Sequence, residues 1–285
     1  MKTIISINKF FKASVNPPDA LYKWDYRIEG NRGGYPLLWL HGFMGSQNDW
    51  LGIVHSQFSD YCNILVNLPG HGSSHLPAHA PFTTLLTTLI QELSLDGIEK
   101  FAVIGYSMGG RIAFHLENLA PERISALIFL SSAPGLKTRA EQDQRRIDDE
   151  LLMDSLENVG ISTFLKKWYS SSLFGDIKNN STLFGELCHA RSRNEVGKLR
   201  HALALMGNGA LRPLWEQLAN ITTPTLLVTG ELDQKYFRLN QEINQSIAGS
   251  IHHQIADAGH AFHLEKPLET ARLIRHFLSE IIEGE

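Results

Sequence analysis

The feature that most constrains the fold is a series of short apolar runs separated by stretches of helical periodicity. The runs are PLLWLHG at 36–42, CNILVNLPG at 62–70, FAVIGYS at 101–107, SALIFLSSA at 125–133, TLLVTGE at 225–231 and IHHQIADAG at 251–259. Strands in this rhythm pair in parallel, because each intervening helix carries the chain back across the sheet. The four middle runs are apolar almost without interruption, the pattern of strands buried on both faces. YKWDYRIEG, at 22–30, alternates instead and predicts an antiparallel edge strand. Helices are predicted around 47–58, 82–95, 108–120, 235–248 and 267–282. Between SSAPG and TTPTLL lie roughly ninety residues with helical periodicity and no strand, far longer than an ordinary connection. The expectation is an α/β core made of 1–133 and 222–285, with a helical cap inserted at 134–221.

Composition narrows the partners. Hydrophobic residues at 43% and charged residues at 20% of 285 positions are ordinary for a globular domain and set aside disorder and coiled coil. A formal charge of −4 argues against nucleic acid or an anionic membrane as partner. No apolar run approaches the roughly 20 residues that span a bilayer. Cys62 and Cys188 form neither a disulfide framework nor a zinc-ligand spacing and read as packing residues of a protein in a reducing compartment. The opening MKTIISINKFFKASV is too short in its apolar part for a signal sequence and lacks the arginines of a transit peptide, so it reads as a cytosolic leader. The expected protein is cytoplasmic, a monomer or weak homo-oligomer, acting on a small molecule without metal or cofactor.

The chemistry starts at Gly105-Tyr106-Ser107-Met108-Gly109, which ends an apolar run and opens a helical pattern. In that context G-x-S-x-G is a nucleophile elbow, a sharp turn that lifts the serine hydroxyl above the sheet. The competing reading is a glycine-rich helix start capped by Ser107. A serine hydroxyl is inert at neutral pH without a base, so a histidine and an acid are required downstream. Asp233 follows the run TLLVTGE and His260 follows IADAG, both at carboxyl ends of predicted strands, where open α/β sheets place their reactive groups. Glu231 and His263 are the nearest rivals. HGFMG at 41–45 supplies the loop expected to complete an oxyanion hole, with the backbone N–H groups of Phe43 and Met108 as donors. His71, in the tight turn NLPGHG, reads as structural.

HGF, LPGHG, GYSMGG, GELD and GH in this order resemble the α/β-hydrolases over nearly the whole chain. A narrower resemblance is to the 2-succinyl-6-hydroxy-2,4-cyclohexadiene-1-carboxylate (SHCHC) synthases of menaquinone and phylloquinone biosynthesis. It rests on LHGFMGS…W, GYSMGGR, RAEQDQRRIDD, WY at 168–169, ARS at 190–192, LWEQL, GELDQK and AGHAFHLEKP. Asn67 departs from that pattern, since the family commonly carries an aspartate there. The resemblance implies a lyase that eliminates pyruvate from an enolpyruvyl adduct bearing three carboxylates. In that case Ser107, Asp233 and His260 work in proton abstraction. Arg145 and Arg191 match the family's substrate arginines, and Trp168 and Tyr106 its pocket walls.

Arg111 lies four residues beyond Ser107 and so emerges on the same helical face, able to fork onto a substrate carboxylate. The plain alternative is a salt bridge to the cap or a solvated helix face. Two other activities fit the fold: a serine hydrolase acting on esters or carbon–carbon bonds, and a ligand-binding receptor without turnover.

Overall fold

A computed structural model describes residues 22–75, 80–175 and 177–282. The leader segment therefore lies outside the described residues. Seven strands form one sheet: β1 (Asp25–Gly30), β2 (Pro36–Leu40), β3 (Cys62–Asn67), β4 (Phe101–Tyr106), β5 (Ile124–Leu130), β6 (Thr225–Gly230) and β7 (Ile251–Ile255). Their order is β1-β3-β2-β4-β5-β6-β7, with β1 antiparallel to β3 and all other pairs parallel. β3, β4, β5 and β6 are buried along their whole length, as their unbroken apolar runs require. β7 is shorter than its apolar run and mostly accessible, as suits an edge.

The helices α1 (Leu51–Gln57), α2 (Phe82–Leu95), α3 (Met108–Leu119), α8 (Gln234–Ser246), α9 (Phe262–Glu265) and α10 (Pro267–Ile282) accompany the sheet. The helix predicted over 47–58 is split. Ser46 and Asp49 form a capping box that closes a 3₁₀ turn over Gln47–Trp50 before α1 begins. Four more helices, α4 (Arg139–Val159), α5 (Ile161–Tyr169), α6 (Ser181–Arg191) and α7 (Val196–Met206), stand between β5 and β6. The neck of this helical layer is closed where Leu214 N–H donates to the Pro134 carbonyl at 3.0 Å and the Trp215 indole donates to the Gly135 carbonyl at 2.9 Å.

Ser107, Asp233 and His260 follow β4, β6 and β7, so the sheet delivers all three to its carboxyl edge. α3 approaches the sheet at unusually close range. A Cβ on Gly109 would sit 2.2 Å from the Leu40 carbonyl oxygen, and one on Gly105 would sit 2.5 Å from the Gly110 Cα. Side chains at these positions would push the helix, and Ser107 with it, off the sheet.

Asn67 has a local explanation. It stands opposite Asp25 in the β1–β3 ladder, and its Nδ2 donates to Asp25 Oδ2 at 2.8 Å while its Oδ1 accepts from Gln47 N–H at 2.8 Å. A carboxylate here could keep the second bond but would face Asp25 with like charge. Asn67→Asp is therefore expected to lower unfolding stability by about 1–3 kcal/mol at pH 7. Denaturant titration would measure the loss, and Asp25→Asn in the same chain should restore most of it. Unchanged stability of the single variant would refute the pairing argument.

Candidate active site

At the elbow Ser107 holds φ 50°, ψ −105°, a conformation that non-glycine residues rarely adopt. Its backbone is pinned on two sides: Ser107 N–H donates to the Leu130 carbonyl at 2.9 Å, and its own carbonyl accepts from Ser132 Oγ at 2.8 Å. The surrounding bonds thus hold the strained turn in place. Ser107 Oγ lies 3.1 Å from His260 Nε2, and His260 Nδ1 lies 2.7 Å from Asp233 Oδ2. Asp233 is fixed in turn: its Oδ2 also accepts from Ser131 Oγ at 3.0 Å, and its Oδ1 accepts from Tyr236 N–H at 3.3 Å as the cap of α8. This arrangement lets an imidazole accept the serine proton while a buried carboxylate orients the ring.

The rivals lie elsewhere. Glu231 is exposed and accepts from Asp257 N–H. His263 is buried in α9 against Tyr106 and Trp50, with ring centroids at 4.1 and 5.1 Å, and neither of its nitrogens has a partner among the described residues. His71 is buried beside His41 and, among the described residues, its ring bonds only within its own turn. Cys62 is buried and Cys188 half-buried, both as free thiols.

Ser107 opens onto a cleft lined in part by Phe43, Tyr106, Met108, Trp168, Tyr169, Phe174 and His260. Neither the Phe43 nor the Met108 amide donates to another protein group among the described residues, so both N–H groups are available to an anionic oxygen. Four cationic side chains, Arg111, Arg145, Arg191 and Lys235, share the lining with one carboxylate, Asp49. Arg111 is 5% exposed and has no acidic partner among the described residues: its Nη1 donates to the Met206 carbonyl at 3.0 Å, and its Nε is unsatisfied there. Burial lowers its guanidinium to about 10, which still leaves it charged at neutral pH. Arg145 is part-exposed and bonds Asp149 at 2.7 Å.

Arg191 is buried and paired with an acid. Its Nη1 and Nη2 reach the two carboxylate oxygens of Asp49 at 2.7 and 2.6 Å, and its Nε donates to the Tyr169 hydroxyl at 3.3 Å. Burial works against that charge, but the Asp49 carboxylate more than offsets it and holds the guanidinium above the usual arginine range. Of the other arginines of the helical layer, Arg139 and Arg146 are spent on Asp143, Arg193 on His189, and Arg200 on Glu150, Asp154 and Glu157. Asp49 and Lys235 are the charged wall residues that the sequence reading missed. The capping pattern Ser46-x-x-Asp49 marked Asp49 as a turn residue, but nothing local signals a partner 142 positions away.

Burial also sets the charge of the histidines. His41, His71 and His263 are each lowered to about 3 by desolvation and stay neutral in the fold. The tautomer of His41 follows from its bonds: Nε2 accepts from Leu68 N–H at 3.0 Å, so the Nδ1 proton goes to the Gly42 carbonyl at 2.7 Å. In the unfolded chain a histidine titrates near about 6.5. Between these values the unfolded chain binds more protons, so stability is complete above about 6.5 and is lost as pH falls toward about 3. His263→Phe, at the ring with no hydrogen bonds to lose, should remove one such proton. The slope of unfolding free energy between about pH 6 and pH 4 should then fall by about 1.4 kcal/mol per pH unit. Denaturant unfolding across this range measures it, and an unaltered slope would contradict the assignment.

The α/β hydrolase fold family matches residues 35–267. A Bacillus subtilis protein provisionally named as a SHCHC synthase is 31% identical over 257 residues, covering 89% of this chain and 93% of that protein. The SHCHC synthase of Serratia proteamaculans is 28% identical over 243 residues, covering 85% and 92%. The solved structure of MenH from S. aureus superposes with a TM-score of 0.84 at 30% identity, covering 90% of this chain and 98% of that one. A thermophilic esterase from Thermogutta terrifontis is similar at a TM-score of 0.75 with 20% identity, covering 90% and 93%, a likeness of fold alone. The chain belongs to the α/β-hydrolase fold family and, within it, to the group that contains the SHCHC synthases.

Proposed function

We infer that this protein is a lyase that eliminates pyruvate from 2-succinyl-5-enolpyruvyl-6-hydroxy-3-cyclohexene-1-carboxylate to give SHCHC, a step toward menaquinone or phylloquinone. Similarity to proteins named for that product supports the reaction. The observation that carries it in this chain is Arg111, a buried cation without an acid among the described residues, one helical turn from Ser107. Leaving a charge out of water and unpaired is costly, and an anionic ligand removes that cost. A substrate with three carboxylates fits a wall of Arg111, Arg145, Arg191 and Lys235. An apolar ester would leave the Arg111 charge unpaired.

In this reading residues 134–221 form the lid, with Trp168 and Tyr106 as walls. His260 Nε2 takes the proton of Ser107 Oγ, and Asp233 stabilises the imidazolium that results. The serine alkoxide then takes a ring proton, returning to the hydroxyl. The released electron pair is drawn toward a substrate carbonyl oxygen held by the Phe43 and Met108 amides. It re-forms a ring double bond as the carbon–oxygen bond to the enolpyruvyl group breaks. Enolpyruvate accepts the imidazolium proton and tautomerises to pyruvate, so protons and electrons balance without an external reagent. No helix among the described residues is long and apolar enough to cross a membrane. The free thiols suit our placement of the reaction in the cytoplasm, in a monomer or weak homo-oligomer.

Two variants test the assignment through pyruvate release from the enolpyruvyl substrate. Ser107→Ala should fold normally and lose at least about 10³-fold in kcat, and near-normal turnover would remove Ser107 from the chemistry. Arg111→Gln should raise KM by more than about tenfold, because the charge it supplies is otherwise unpaired. A KM equal to that of the parent protein would remove Arg111 from substrate binding.

A further inference from the structure

Asp49 is the one carboxylate in the described wall of a cleft that, on the reading above, receives a tricarboxylate. By charge alone it repels the substrate. Its side chain is 7% exposed, so the repulsion is not screened by water. What it touches explains why it is there.

On one side it meets Arg191, at the end of α6. A guanidinium carries five N–H groups in a rigid plane. Two of them go to the Asp49 oxygens and the Nε–H goes to Tyr169, which leaves two. The pair has no net charge, so Arg191 contributes direction rather than attraction, and the direction is set by Asp49. On the other side Asp49 holds the loop that carries Phe43. Its Oδ2 accepts from Ser46 N–H at 3.3 Å. Within that loop the Gly42 carbonyl accepts from Gly45 N–H at 3.0 Å and from His41 Nδ1 at 2.7 Å. The Gly42 carbonyl and the Phe43 N–H belong to one planar peptide, so fixing the first aims the second. Asn194, just beyond α6, adds a bond from its Nδ2 to the Met44 carbonyl at 2.9 Å. The end of α6 and the loop over 42–49 are thereby joined at two points beside Ser107.

We propose that Asp49 is a positioning residue for the elimination: it fixes the guanidinium plane of Arg191 so that one of its remaining N–H groups faces a substrate carboxylate, and it ties the seating of the lid to the Phe43 amide. This rests on the lyase reading. The neck bonds at Leu214 and Trp215 do not involve Asp49, so the lid stays attached without it.

The test compares Asp49→Asn, Arg191→Gln and the double variant in pyruvate release, with kcat and KM measured separately. Asp49→Asn should lower kcat/KM by at least about 30-fold with a raised KM, which a mere loss of folded protein would not produce. In the Arg191→Gln background the same change should alter kcat/KM by less than about threefold, since Asp49 acts through that arginine. Kinetics of Asp49→Asn within about twofold of the parent, or losses that multiply in the double variant, would overturn the proposal. If the single Asp49 variant does not fold, Arg191→Gln and the double variant still decide, because the latter leaves no buried charge unpaired. Parent protein that releases no pyruvate would instead fail the lyase reading. Asp49 would then be judged by crystal structures of the parent and Asp49→Asn: a turned Arg191 and a displaced 42–49 loop support the proposal, and superimposable ones refute it.

Discussion

The site depends on how closely α3 lies against the sheet. Gly105, Gly109 and Gly110 leave no room for side chains between the helix and β2, β4 and the chain after β5: a Cβ on Gly110 would stand 2.4 Å from the Ser132 Cβ. That closeness bends the chain at Ser107 into a conformation with positive φ and projects the hydroxyl past the end of the strand. From there the remaining geometry follows, because β6 and β7 end beside β4 and β5 and carry Asp233 and His260 to the same edge.

A shared nucleophilic elbow does not decide between acyl transfer and proton abstraction. The distinction lies in what the lid and α3 place around the hydroxyl. Arg111 brings an unpaired buried charge, Arg145 is balanced in part by Asp149, and Arg191 is balanced by Asp49. The cleft therefore combines one strongly attracting group with others whose partners fix their orientation. On the lyase reading, a rigid polyanion held this way presents a ring proton to Ser107 while its leaving group stays free to depart.

Much of this was legible in the sequence, for local reasons. Unbroken apolar runs marked the buried strands, and the alternation in YKWDYRIEG marked the antiparallel edge at β1. Ser107, Asp233 and His260 could be picked out because each follows a strand, and the structure brings the three within hydrogen-bonding reach. His263 is only three positions past His260, yet α9 turns it into an aromatic core, a consequence of a one-turn helix that periodicity cannot resolve. The 3₁₀ turn at Gln47–Trp50 blurred into α1 for the same reason. Long-range charge pairing was the part not written locally. That Arg191 meets Asp49, and that Asn67 answers Asp25, are facts of topology. The resemblance to a family pointed to Arg191 but could not say that its guanidinium is already engaged.

On the lyase reading Ser107 acts as a base and never bonds to substrate carbon. Intact-protein mass spectrometry of samples acid-quenched during turnover of the enolpyruvyl substrate tests this directly. The expected spectrum is that of the unmodified chain at every time point while pyruvate accumulates. A substrate-derived mass appearing on Ser107 at a kinetically competent rate would contradict it and make the protein an acyl-transfer enzyme.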